Sequence, residues 1–394
     1  MTSNELKSLD AQNVMQTYAR FDAVIDRGQG ATLFSPEGKE YIDFSSGIGV
    51  NCLGYGNKKL AEAIYNQALK LQHISNLYYS EPYIKLATTL CERTGLKRAF
   101  FANSGAESNE GLIKLARKYS FDKYGKDRNE IITLVQSFHG RTVTTLSATG
   151  QDSFHKYFFP FTEGFSHVAA NDISALEAAL TKRVCAVMIE LVQGEGGVLP
   201  LDVDYVKAVE KLCRQHDVLL LIDEVQTGVG RTGTLFAYEQ YGISPDAISF
   251  AKGIAGGMPM GGFLAAKSCA DVLQAGEHAT TFGGNPVSAA AAYEVLNQLT
   301  PELLCEVMKK SDYIRQAISG WGITVASQAR GLGLMLGLPL KGADPKAVAR
   351  ACVERGLLIL TAGADALRML PPLTITYDEI DRGLAILKTV LEDL

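Results

Sequence analysis

The chain has 394 residues, 47% of them hydrophobic and 21% charged, with a net charge of −5. A chain of this length has room for two or three domains and a large core, and its acidic balance argues against nucleic acid as a partner. No apolar run approaches the roughly 20 residues of a membrane helix, and residues 1–10 lack the apolar stretch of a secretory leader. Seven scattered cysteines without a Cys-x-x-Cys pair fit buried thiols in a reducing cytoplasm rather than a metal site. Glycine is the outlier: its 38 residues are about a tenth of the chain against a usual 7% or so. No repeat accounts for them. They mark places where backbone turns sharply or approaches a ligand, and a phosphate-bearing ligand is the first expectation.

Residues 1–55 and 291–394 mix short strands and helices and are expected to build a smaller α+β domain. Between them, residues 56–290 alternate apolar runs of strand length with helix-period stretches. Runs at 98–102, 131–138, 184–192, 218–223 and 246–251 read as strands. Continuous apolarity, as in VLLLI, predicts burial on both faces and so a mainly parallel sheet. Residues 203–216 place Val206, Val209, Leu212 and Cys213 on one helical face. An Ala-rich helix is expected over 287–299, after Asn285-Pro286. The fold class is therefore α/β.

In such sheets ligands sit at the carboxyl ends of the strands. The residues there are Asn103 to Ala106, Phe138 to Arg141, Glu190 with Gln193 to Glu195, Asp223 to Gln226, and Lys252-Gly253. Lys252, among apolar and glycine neighbours, is placed to be desolvated, which lowers an amine's pKa and frees it as nucleophile or base. Asp223, ending an apolar strand, needs a cationic partner or several donors; a protonated pyridine nitrogen is one. Ser104 opens a helix and makes a capping box with Glu107, and the small Gly105 and Ala106 can turn their N–H groups to a phosphate. Residues 228–233 match G-x-G-x-x-G after a strand, with Asp246 near the spacing of a ribose contact. Asp223 and Glu224 would repel a pyrophosphate there, so the motif is read as a turn.

Together these residues resemble the class III aminotransferases, fold-type-I enzymes that use pyridoxal 5′-phosphate (PLP). The resemblance spans nearly the whole chain. It rests on NSGAESNE (103–110), FHGRT (138–142), QGEGG (193–197), LLIDEVQTGVGRTG (220–233), AKGIAGGMPMGG (251–262), TTFGGNP (280–286) and LRMLPP (367–372). It implies that Lys252 carries PLP and acts as proton carrier. Asp223 would pair with the ring nitrogen, Phe138 and Val225 would cover the two ring faces, and Gln226 would reach the ring 3-oxygen. Ser104, Gly105 and Ala106 would hold the phosphate, joined by Thr281 from the partner subunit of a homodimer with shared sites. Arg141, with Tyr18 beside it, would grip the α-carboxylate of an acylated ornithine. Arg368 would grip glutamate or 2-oxoglutarate, and Glu195 would be the switch that pairs with Arg368 when the ω-amino substrate is bound. Gly47 stands where related enzymes carry a bulkier residue, leaving room for an N-acyl group. N-acetylornithine is therefore the expected donor, with succinylornithine, ornithine, GABA and lysine as alternatives on the same scaffold. Asp22, Tyr55-Gly56-Asn57 and Leu191 depart from the family pattern, and none of them removes a catalytic group.

Overall fold

The computed structural model describes residues 1–394. At its centre lies a seven-stranded sheet of β1 (Arg98–Ala102), β2 (Glu130–Leu134), β3 (Phe165–Val168), β4 (Val184–Ile189), β5 (Leu219–Asp223), β6 (Ala247–Phe250) and β7 (Gly261–Ala265). Their order across the sheet is β1-β7-β6-β5-β4-β2-β3. All pairings are parallel except those of β7, which runs antiparallel to both β1 and β6. Every residue of β4, β5 and β6 is buried, as expected for strands covered on both faces. Helix α1 (Gly105–Tyr124) follows β1, α2 (Val203–His216) precedes β5, and α3 (Pro286–Gln298) follows the 280–286 segment.

Two strands were not legible in the apolar pattern. β3 is a half-exposed edge strand. β7 lies in a glycine-rich run, and the glycines are what let it fit. A Cβ on Gly262 would stand 2.3 Å from the carbonyl oxygen of Phe100, and one on Gly261 would stand 2.5 Å from that of Ser104. Two expected strands are shorter than read. The chain leaves β2 after Leu134 and turns at Gln136 (φ +69°). Beyond Ile189, Val192–Gln193 folds into a small hairpin with Leu199–Pro200 around the QGEGG segment.

Strands Arg27–Gln29, Thr32–Phe34 and Glu40–Asp43 form an antiparallel meander, and the last pairs in parallel with Leu357–Leu358. A second, antiparallel sheet is built from Arg330–Leu332, Met335–Pro339, Leu360–Ala362 and Ala366–Met369. One apolar core of 68 buried residues runs from Ile222 and Phe250 in the central sheet to Leu336 and Ile380 in the C-terminal third. These parts therefore share an interior without a water layer between them. No helix is long and apolar enough to cross a membrane, and all seven cysteines are free thiols.

Candidate active site

The carboxyl ends of β1, β4, β5 and β6 open onto one cavity of about 390 Å³. Lys252 enters it just past β6, held in a left-handed backbone conformation (φ +47°) that L-residues rarely adopt. Burial holds the Lys252 amine below the usual lysine range; Arg368 adds to this, while Glu195, Asp223 and Glu190 oppose it.

Asp223, the last residue of β5, is buried. Its Oδ2 accepts from Asn109 Nδ2 at 2.7 Å and lies 2.8 Å from His139 Nδ1, while Oδ1 accepts from the Val225 amide at 3.0 Å. On the far sides of these two neighbours, Asn109 Oδ1 and His139 Nε2 are buried without a partner. The carboxylate is thus fixed in orientation and still has accepting capacity toward the cavity that it lines.

At the mouth of α1 the Ser104 side chain accepts from the Glu107 amide. The box is not the reciprocal one expected, because the Glu107 carboxylate reaches back to the Asn103 amide (2.9 Å), the Asn103 side chain (3.0 Å) and the Ser104 hydroxyl (3.0 Å). Glu107 is thereby held off the cavity. The Gly105 and Ala106 amides, at the positive end of a 20-residue helix, have no partner within the protein, an arrangement that suits an anion. A Cβ on Gly105 would stand 2.7 Å from Val225 Cγ1. Glycine therefore lets the helix end and the Asp223–Gln226 segment converge.

These groups fit PLP: an anion site of free amides, a fixed carboxylate for a ring N–H, an amine for the aldehyde carbon, and Phe138 and Val225 lining the space between. The G-x-G-x-x-G segment is a run of turns with no helix before Tyr238. Asp246 is engaged with Arg214 (3.0 Å) and the Leu220 amide (2.9 Å), so neither serves a dinucleotide.

Gln226 links the cavity to a second cluster. Arg368 Nη1 donates to Gln226 Oε1 at 3.1 Å and pairs with Glu195 Oε1 at 2.5 Å. Arg368 is 3% exposed. It lies on Ala366–Met369 and faces Gly337 and Leu360 on the neighbouring strands. Burial pushes the Glu195 carboxyl up, but the Arg368 guanidinium and its hydrogen bond outweigh this and hold it below the usual range. Arg141 is exposed and unpaired by any carboxylate; its guanidinium stacks over Phe154 at 4.3 Å and Phe138 at 5.6 Å.

Besides Glu195 and Arg368, which reach the cavity only through Gln226, three expected residues stand apart from it. Tyr18 is 74% exposed and its ring faces Arg20, not Arg141. Thr281 lines a separate surface recess with Tyr78 and Asn285. Gly47 lies in a left-handed turn (φ +64°) with Ser46 and Ile48 at similar angles, and it is Val50, three residues on, that reaches the cavity wall. Of the departures from the family pattern, Tyr55 donates to buried Asp43 at 2.8 Å, and Asn57 caps the helix Lys58–Lys70. Asp22 pairs with Lys7 on the surface, and Leu191 is buried.

Sequence reasoning placed Glu190 and His139 at the ligand-facing strand ends without giving them a role, and passed over Asn109. Glu190 lines the cavity, accepts from the Phe138 amide at 2.9 Å and the Gly194 amide at 3.3 Å, and is pushed by burial up to about 7. A lone carboxylate closing an all-apolar strand was the signal. For Asn109 the signal was its place one helical turn beyond Gly105.

Comparison with known proteins agrees with this chemistry. The family model described as "Aminotransferase class-III" matches residues 14–391. The chain belongs to the class-III aminotransferases. The family is PLP-dependent, so the cofactor of this class-III aminotransferase is PLP. It is 50% identical to an acetylornithine aminotransferase of Haemophilus ducreyi over the full length of both chains. It is 43% identical to a succinylornithine transaminase of Photorhabdus laumondii, over 93% of this chain and 92% of that one. An ornithine aminotransferase structure from Toxoplasma gondii, described as showing partial occupancy of PLP at the active site, superposes with a TM-score of 0.96. It is 30% identical, and the match covers all of this chain and 94% of that one.

Proposed function

We propose that this class-III aminotransferase moves the δ-amino group of N2-acetylornithine to 2-oxoglutarate, giving N-acetylglutamate 5-semialdehyde and glutamate. The observation that carries this reading is the pair of arginines around one lysine. Arg141 is free at the cavity wall, whereas Arg368 is neutralised by Glu195 and tied to Gln226.

PLP, when bound, supplies an electron sink that weakens the C–H bond beside the substrate nitrogen. Lys252 would carry it and, once displaced by the substrate amine, its Nζ would take the proton from the substrate δ-carbon and pass it to the cofactor within the same half-reaction, running the transfer in reverse onto the 2-carbon of 2-oxoglutarate in the second. Asp223 holds the ring nitrogen protonated, oriented by Asn109 and His139. The Gly105 and Ala106 amides with Ser104 would hold the phosphate of PLP, Phe138 and Val225 would cover its ring, and Gln226 would reach the ring 3-oxygen. Arg141 would grip the α-carboxylate of acetylornithine, because bidentate pairing suits guanidinium to carboxylate; this grip would leave the distal amine at the cofactor carbon that Lys252 would hold. Tyr18 joins Arg141 once substrate is bound. During that half-reaction Glu195 stays on Arg368. For 2-oxoglutarate Glu195 swings off, and Arg368 takes the carboxylate.

The enzyme works as a cytoplasmic homodimer in which Thr281 completes the partner's phosphate site. In support, Thr281 is exposed beside a surface cluster that includes Leu77 (86% exposed), Tyr79 (96%) and Phe282 (63%), far more apolar surface than isolated residues present. Residues 1–55 and 291–394 form the smaller domain of this reading, with 56–290 the PLP-binding one.

Succinylornithine is the second reading, favoured by the Photorhabdus relative and by sharing the α-carboxylate and δ-amine. The deciding experiment is a single-turnover screen of the PLP-loaded enzyme with acetylornithine, succinylornithine, ornithine, GABA and lysine. Acetylornithine is expected to bleach the cofactor band fastest; a faster reaction with any other donor overturns the assignment.

A further inference from the structure

The GVGRTG turn serves no nucleotide, yet it contains a costly residue. Arg231 is 2% exposed and lies in no ion pair. Burial pushes its guanidinium down to about 10, and only Cys52 and Asp43 lie near enough to counter this. A buried cation without a carboxylate is an expensive structural bond, so what it holds is informative.

Arg231 Nη1 donates to the carbonyl oxygens of Leu334 (3.0 Å) and Pro371 (2.5 Å), and the Arg231 carbonyl accepts from the Leu334 amide at 3.0 Å. Leu334 is in the turn between Arg330–Leu332 and Met335–Pro339, and the second of these strands pairs with the strand that carries Arg368. Pro371 is three residues beyond Arg368. The stretch after Arg368 is also pinned at Leu370 by Phe44 and Ser46 and at Leu373 by Cys52 and Lys310. Those anchors come from elsewhere in the chain. Arg231 alone among them belongs to the stretch that also carries Asp223, Val225 and Gln226.

We infer that Arg231 is a positioning residue that sets the distance between the cofactor-facing Asp223–Gln226 segment and the Arg368 strand, and so tunes recognition of the dicarboxylate substrate. This rests on the proposed division of labour between Arg141 and Arg368. Arg231→Lys keeps the charge but replaces the planar Nη1, from which both carbonyl bonds leave while Nη2 stays unpartnered, by a shorter-reaching ammonium. With the PLP-loaded variant, KM for 2-oxoglutarate is expected to rise roughly tenfold, with the single-turnover rate for acetylornithine within about twofold of the unaltered enzyme. Arg231→Gln, which removes the buried charge and keeps an amide donor, should show the same split. Equal losses in both half-reactions, or two variants that fail to bind PLP, overturn the inference in favour of a purely structural role. Arg368→Lys is run in parallel. If it depresses both half-reactions alike, the division of labour itself fails. If it depresses only the 2-oxoglutarate side while both Arg231 variants leave that side intact, the inference about Arg231 alone is refuted.

Discussion

The cavity has two sides built on different physical terms. On the cofactor side, Asp223 is held by Asn109, His139 and the Val225 amide at distances of 2.7 to 3.0 Å, at the end of a fully buried strand. On the substrate side, Arg141 rests on aromatic faces without an ion-pair partner, and Glu195 is joined to Arg368 across a loop. The first arrangement is fixed before any ligand arrives, which is what a permanent cofactor requires. The second leaves charges that can be re-paired, which suits a site that takes two unlike substrates in turn.

The sharpest break of the fixed side is Lys252→Ala, expected to lower turnover by about 10⁴-fold or more and to abolish the visible band that borohydride would otherwise trap on the protein. Asp223→Asn leaves the shape and removes the charge; a fall of about 100-fold or more in both half-reactions is expected from stopped-flow traces. The movable side should break asymmetrically. Arg368→Ala should cost roughly 100-fold with 2-oxoglutarate and far less with acetylornithine, read by half-reaction kinetics, and equal losses would erase the contrast between the two arginines. Gly47 stands outside the cavity wall that Val50 forms, so Gly47→Tyr tests whether this position acts on the acyl group at all: a shift in preference from acetylornithine toward ornithine is the expected outcome, and none would remove Gly47 from substrate choice. Because Gly47 has φ +64°, Gly47→Asn, which tolerates that angle, separates backbone strain from lost acyl space.

The smallest effect concerns Glu224, which supports the fixed side from behind. Burial pushes its carboxyl from 4.5 up to about 7, against hydrogen bonds from Thr227 and the Tyr238 amide. The folded protein therefore binds more protons here than the unfolded chain, and stability is lost as pH rises from about 4.5 through 7. Glu224→Gln should flatten this slope and stabilise by about 2 kcal/mol above pH 7, checked as Tm against pH. An unchanged slope would assign the dependence to another buried acid such as Glu190, whose carboxyl burial also pushes up.

The fixed side was the more legible in sequence, and for a physical reason. Apolar runs announce buried strands, so Asp223 and Lys252 stand out as polar residues closing them, and small residues after a strand announce a free helix end. The movable side depends on pairings between distant segments, such as Arg368 with Glu195, and periodicity carries no trace of these; only the resemblance named them. β7 was hidden because its glycines, selected for close backbone approach, suppress the apolar signal. Tyr18 and Thr281 lie outside the cavity in the single chain, on surfaces whose role local sequence does not encode. Glu190 was visible as an anomaly within an apolar run but had no assigned task.

If Arg368 takes the dicarboxylate as proposed, the Glu195–Arg368 pair makes the resting enzyme its own competitor. On that reading every dicarboxylate that docks would first have to evict a tethered carboxylate held at high local concentration, and its apparent affinity would fall with the fraction of time the tether is engaged. The same tether would discourage the product glutamate from lingering. An occupant that brings no second contact to offset the eviction, such as a simple monocarboxylate, gains little foothold. Selectivity on this side thus comes as much from what the protein places in its own site as from what it offers to the ligand.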